Sequence, residues 1–400
     1  MTAAVASDLA IAARWERIGP VLHAAVEGGN VAGLVALVAW REAVRAEAVG
    51  VQDIATGTPM RRDSIVRIAS MTKPIIAAAA MMLVEEGRIA LDDPVESFLP
   101  ELADRRVLRT PDSPLDDTVP ARRAITLDDL LTLRFGLGMA MMPHDRTPLH
   151  AAMATLGVEP GPDPLPVGPD EFMARIGRLP LMHQPGEAWR YHTGADVLAV
   201  LIARVAGMPL EAFLRQRIFA PLGMRDTGFS VPPEALDRLT TCYVRGATGL
   251  EVLDAARGGR HDGPMAFPNE LVSTADDYLA FARMLLDEGR HPRGRLLSAD
   301  SVRLMMTDHI TPAQKAVSPF FPGFWERQGW GFGGAVTTAA GAGIGSVGSY
   351  GWAGGFGTSM LLDPREGTIA ILLPQRLMRG PDDAALNGRF TTLAIPAGNT

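Results

Sequence analysis

Ser70 and Lys73 stand three residues apart at the start of a stretch, Pro74 to Glu86, that reads as a helix stopped by Gly87. Side chains at that spacing share one helix face and lie within contact distance. A serine hydroxyl is a weak nucleophile until a neighbouring base takes its proton, and lysine is such a base only as a neutral amine. Burial and the positive end of a helix both disfavour the ammonium, which is the direction required. The same helix start aims backbone N–H groups outward, so the N–H of Ser70 can hold a developing oxyanion. Lys73 and Lys315 are the only lysines among 38 basic residues; the rest are arginines. Arginine supplies charge but does not give up its proton, so a lysine kept in this background suits a base. S-x-x-K alone remains a weak motif, because surface helix starts also produce it.

Other hydrolytic chemistries find less support. A Ser-His-Asp enzyme should show a Gly-x-Ser-x-Gly elbow between strand and helix, and none of the 13 serines has that context. The eight histidines are scattered without H-x-x-x-H spacing, and a single cysteine, Cys242, excludes a multi-cysteine metal site or internal disulfide. Cys242 reads as a small buried hydrophobe. No metal and no cofactor are expected. A net charge of −7 argues against a nucleic-acid partner. No stretch approaches the roughly 18 apolar residues of a spanning helix, and the N-terminus lacks a clear apolar signal region. The expectation is a cytoplasmic protein without a membrane partner.

The elements that must position the pair follow from periodicity. Residues 8 to 28 read as an amphipathic helix, and Val31 to Trp40 and Val44 to Val51 as paired strands, although Arg41-Glu42-Ala43 is a poor turn signal. A middle region of helical pattern and proline loops follows, with helices over 126–133, 169–176, 195–206, 210–219 and 275–286. The Met141 to Gly168 stretch reads as an unusually long loop, of the kind that serves as a lid. Trp330 to Thr338, Trp352 to Leu362 and Thr368 to Leu373 return to β content. Strands at both ends with helices between predict an α+β fold: one antiparallel sheet built from the two termini, flanked by helices, with a mainly helical region inserted.

Several ordered motifs then carry a resemblance. Arg67-Ile68-Ala69-Ser70-Met71-Thr72-Lys73 resembles the first motif of the class C β-lactamase-like superfamily, which includes penicillin-binding proteins and the family VIII carboxylesterases. Ile125 to Thr132, Pro221 to Phe229 and Leu271 to Tyr278 are similar to three further stretches of that group. The resemblance implies the β-lactamase/penicillin-binding-protein fold, with residues 1–68 and 270–400 forming the sheet domain, 69–269 the helical domain, and the active site between them. By position, Tyr191-His192-Thr193 stands for the second motif, with Tyr191 as proton relay and His192, its side chain turned elsewhere, either structural or supporting the site from behind. Trp352-Ala353-Gly354-Gly355 resembles the Trp-x-Gly form of the third motif, and the N–H of Gly355 would be the second oxyanion donor beside that of Ser70.

Two departures from the lactamases bear on substrate. Trp352 replaces the lysine and Thr193 the asparagine that help bind the drug, which favours an uncharged or aromatic ligand. Trp352, Ala353, Gly354 and Thr193 are the expected substrate-binding residues. Leu133-Arg134-Phe135-Gly136 replaces a His-Thr-Ser-Gly-like stretch and is expected to alter the pocket wall. The resemblance implies a serine esterase acting on a small-molecule ester with small to medium acyl groups, through acyl-Ser70 with Lys73 and Tyr191 as base and acid. β-Lactamase, D-amino-acid peptidase or amidase activity, and acyl transfer, are the alternatives. A purely binding protein would have no physical need for Ser70, Lys73 and Tyr191 together.

Overall fold

The computed structural model describes residues 3–139, 146–161, 163–380 and 383–395. Its frame is an eight-stranded antiparallel sheet. Three strands come from early in the chain: β1 (Gly33–Trp40), β2 (Ala43–Asp53) and β3 (Thr58–Pro59). Five come from late in it: β4 (Gln328–Trp330), β5 (Ala335–Thr337), β6 (Tyr350–Ala353), β7 (Ser359–Asp363) and β8 (Thr368–Pro374). The order is β4-β5-β6-β7-β8-β1-β2-β3, so the two ends of the chain meet where β1 pairs with β8, Leu34 opposite Pro374 through Trp40 opposite Thr368.

β1 is an unbroken apolar run because both of its faces are covered. Leu34, Ala36 and Val38 pack with Trp15, Ile18 and Leu22 of α1 (Ala3–Glu27) and with Phe390 near the C-terminus. Val35, Leu37 and Ala39 point the other way, into the main core. That core is built around α2 (Thr72–Glu85), whose residues from Thr72 to Leu83 are all buried. A helix apolar all round belongs inside a protein, and α2 is enclosed by the sheet, by α3 (Thr193–Ala206) and by α4 (Ala275–Leu286).

β1 and β2 pair as expected, through a two-residue turn at Arg41-Glu42, with Arg41 at φ 54° although no glycine or asparagine supplies that conformation. The β content expected over Trp330 to Thr338 and Trp352 to Leu362 takes the form of two hairpins, because glycines reverse the chain at 331–334 and 354–357. The helix expected over 210–219 is α-helical only for Leu210–Leu214 and continues as a π turn over Arg215–Phe219. The Met141 to Gly168 stretch is not all loop: Pro148–Thr155 is helical, with Pro148 at its first position and the Thr147 N–H donating to His150 Nδ1 at 3.3 Å. Residues 141–145 and 162 of that stretch lie outside the described residues. Among the described residues no single helix is long and apolar enough to cross a membrane.

Candidate active site

Ser70 lies in a single 3-10 turn, Ala69–Met71, that runs straight into α2. The turn is tight because Ala69 adopts φ 45°, a left-handed conformation that costs a non-glycine residue about 1–2 kcal/mol. Surrounding bonds hold it there. The Tyr278 hydroxyl donates to Met71 O at 2.7 Å, the Leu271 N–H donates to Thr72 Oγ1 at 3.0 Å, and Thr358 Oγ1 donates to Ile68 O at 3.2 Å. Below the turn, the fully buried Arg67 guanidinium is held by Asp254 at 2.5 Å and by the carbonyls of Thr240 and Ala255.

Two hairpins press onto this segment from the sheet, and each needs a glycine to do so. A Cβ on Gly333, at φ 78°, would stand 2.5 Å from Lys73 O. One on Gly354 would stand 2.4 Å from Ile68 O. The result is the contact expected from spacing: Lys73 Nζ lies 3.0 Å from Ser70 Oγ, on a side chain that is almost wholly buried. Among the described residues no carboxylate comes within 4.0 Å of that amine, whereas the other lysine, Lys315, is paired with Asp308 at 2.6 Å.

Tyr191 closes the triangle. His192 sits at φ 84°, ψ −72°, and the Thr193 N–H reaches back to Tyr191 O at 3.3 Å, which makes a strained γ-turn centred on His192. The turn swings the Tyr191 ring beneath Lys73 Nζ, 4.9 Å from its centroid. Trp352 Nε1 donates to the Tyr191 hydroxyl at 2.6 Å. Around the pair stands an aromatic cluster: Trp330 lies 4.6 Å from Trp352, and Phe320 lies 5.6 Å from Tyr191, centroid to centroid.

Ser70, Tyr191, Trp352, Ala353 and Gly355 all line one cavity of about 660 Å³, walled on one side by Met139, Phe320, Phe321 and Phe324. Among the described residues the N–H groups of Ser70 and Gly355 have no hydrogen-bond partner. The sequence-predicted residues divide accordingly. Thr193 does not face the cavity: as the first residue of α3 it is fully buried, because the γ-turn presents His192 to the site and rotates its neighbour inward. Gly354 is not in the wall either; it is the point where the strand touches the turn that carries Ser70. Trp352 does more than line the wall, since its indole N–H holds the phenol. The 133–136 stretch stays out of the cavity: Leu133 packs with Tyr191 and Trp330, and Arg134 pairs with Asp128.

Three polar residues, Asp196, Asn269 and Glu270, were missed. His192, Asp196, Asn269 and Glu270 surround Lys73 on the side away from the aromatic wall. His192, expected to be structural or behind the site, lines it. Asn269 Nδ2 donates to Asp196 Oδ1 at 3.0 Å, and His192 Nε2 lies 3.5 Å from Asp196 Oδ2. Burial, then the nearness of Lys73, holds the His192 imidazole neutral, well below its ordinary range. Burial pushes the Asp196 carboxyl up to about 6, opposed by the Asn269 hydrogen bond. Burial likewise raises Glu270, opposed by Arg260, whose guanidinium lies 3.5 Å away, and by Lys73. No spacing rule could have linked residues 192–196 to 269–270; the i,i+4 placement of His192 and Asp196 was the one available signal.

A model of the family described as Beta-lactamase matches residues 18–390. The chain is 40% identical over 372 residues to the protein MT1414 of Mycobacterium tuberculosis, covering 90% of this chain and 89% of that one. It is 32% identical over 414 residues to Esterase EstB of Burkholderia gladioli, covering 95% and 96%. Among solved structures, EstCE1, a hydrolase with promiscuous acyltransferase activity, superposes with a TM-score of 0.79 at 25% identity, covering 96% of this chain and all of that one. With Ser70 in contact with the buried Lys73 at the head of its central helix and a family match over nearly its whole length, the chain belongs to the β-lactamase family of serine hydrolases.

Proposed function

We propose that the protein is a serine carboxylesterase of the family VIII type that acts on small to medium acyl esters through acyl-Ser70. One observation carries the reading: the Lys73 amine lies 3.0 Å from Ser70 Oγ, with no carboxylate among the described residues within 4.0 Å of it, at the edge of a large, aromatic-walled cavity. Lys73 takes the hydroxyl proton as Ser70 attacks the ester carbonyl. The N–H groups of Ser70 and Gly355 receive the oxyanion. Tyr191, its oxygen aimed by Trp352, relays the proton to the departing alcohol. The phenylalanine wall and the indole at 352 suit an apolar acyl group, and Trp352 stands where the lactamases carry a lysine, which disfavours a β-lactam.

Acyl transfer to a second alcohol is the other reading. A cavity of about 660 Å³ is larger than a short ester fills, and EstCE1 carries both activities in its description. The test is a panel of acetyl, butyryl and octanoyl p-nitrophenyl esters beside a chromogenic cephalosporin, with the labelled residue mapped by mass. Ester turnover with an adduct on Ser70 is expected, and Lys73→Arg should be as inactive as Ser70→Ala, because a guanidinium does not act as base. Near-normal turnover by Lys73→Arg would reject the base; faster cephalosporin than ester hydrolysis would reject the substrate class.

A further inference from the structure

A second, much smaller chamber of about 20 Å³ adjoins the site, bounded by Ser70, Lys73, His192, Asp196, Asn269 and Glu270. That volume suits one water, which needs about 10–15 Å³ and two to four polar partners. The lining supplies them. Asn269 Oδ1 is buried with no hydrogen-bond partner among the described residues, an acceptor that a buried site does not leave unused without cost. Glu270 is the carboxylate that borders both this chamber and the large cavity, and Arg260 and Asp254 behind it fix its direction. The large cavity is walled mainly by aromatic and aliphatic side chains, whereas the small one gathers these polar groups on one side and is closed by Ile76, Ala195 and Ala199. Ser70 stands at their junction.

Taking Ser70 as the acylated nucleophile, as in the proposed function, we infer that the small chamber holds the water that hydrolyses the acyl-enzyme, with Glu270 as its base. The water oxygen bonds to the acyl carbon and its proton passes to the Glu270 carboxylate. The bond from that carbon to Ser70 Oγ then breaks, and Oγ takes back the same proton by way of the Lys73 amine, 3.0 Å from it. Carboxylic acid leaves, and both Glu270 and Ser70 return to their starting states. An acceptor alcohol is too large for the chamber. It approaches through the large cavity and uses Lys73 and Tyr191, the reverse of acylation. Hydrolysis and transfer thus have separate bases, and Glu270 sets the balance between them.

The experiment compares wild type and Glu270→Gln with p-nitrophenyl butyrate, with and without an added primary alcohol. First-turnover release of nitrophenol should be within a few-fold of wild type. Steady-state hydrolysis should fall by about 100-fold or more, acyl-Ser70 should accumulate in the mass spectrum, and the ratio of transfer product to acid should rise at least tenfold. Asn269→Leu, which fills the chamber with an apolar side chain, should give the same split and serves where Glu270→Gln fails to fold. Unchanged hydrolysis, or hydrolysis and transfer falling by the same factor, would overturn the assignment. Absence of a Ser70 adduct in wild type would instead sink the esterase reading on which it rests.

Discussion

Replacing Trp352 with phenylalanine isolates the hydrogen bond that ties the third motif to the second. The ring would remain among Trp330, Phe320 and Phe324, whose centroids lie 4.6, 6.0 and 6.1 Å away, while the N–H that reaches Tyr191 Oη at 2.6 Å is removed. Only the part of that bond that strengthens in the transition state affects kcat. A hydrogen bond to a neutral oxygen contributes about 0.5–1.5 kcal/mol and one to a charged oxygen about 1.5–3 kcal/mol. If the phenol oxygen gains negative charge as it relays a proton, the difference is roughly 1–1.5 kcal/mol, or about 5–15-fold in kcat. The assay is stopped-flow acylation by p-nitrophenyl butyrate in four proteins: wild type, Trp352→Phe, Tyr191→Phe and the double variant. In the Tyr191→Phe background the indole has no oxygen to hold, so the second substitution should cost almost nothing. Equal losses from Trp352→Phe in both backgrounds would show that the indole acts through packing alone and would refute the relay.

Gly354→Ala should destabilise the protein by about 1–3 kcal/mol, because the new methyl meets Ile68 O at 2.4 Å and Thr358 Oγ1 at 2.3 Å. Thermal melting checks the stability, and activity should fall further than stability alone explains, since the strand can yield only by moving away from Ser70. Asp196→Asn should stabilise the protein at pH 8. The carboxyl is raised from 3.8 unfolded to about 6 folded by burial, so the folded state binds the extra proton. Wild-type stability therefore falls as pH rises from about 4 to 6 and stays lower above that, by up to about 3 kcal/mol. Urea unfolding at pH 4 and pH 8 should show the gain of Asp196→Asn at the higher pH and little at the lower; equal gains at both would refute the burial argument.

Much of the fold was legible because local patterns and tertiary demands agree. The apolar runs of β1 and β8, the helix stop at Gly87, and the contact of Ser70 with Lys73 all follow from local spacing. Legibility failed where backbone geometry overrides pattern. Arg41 and His192 adopt positive φ without being glycine, so no residue type announces the tight β1–β2 turn or the γ-turn before α3. That γ-turn is why Thr193 and His192 exchange their expected places, the threonine buried and the histidine facing the site.

The sequence by itself determined the contact of Ser70 with Lys73, because three residues along a helix fix their mutual distance whatever surrounds them. It also implied which later segments bear the phenol and the glycine-rich strand. Only the tertiary structure decided what those segments do to each other: that the indole of Trp352 holds Tyr191, that Gly354 is a contact point rather than a binding surface, and that Asp196, Asn269 and Glu270 gather around Lys73. Those relations join residues some 70 to 280 positions apart in the chain. Their distances are set by how the sheet, α2 and α3 close on one another, and local spacing carries no record of that closure.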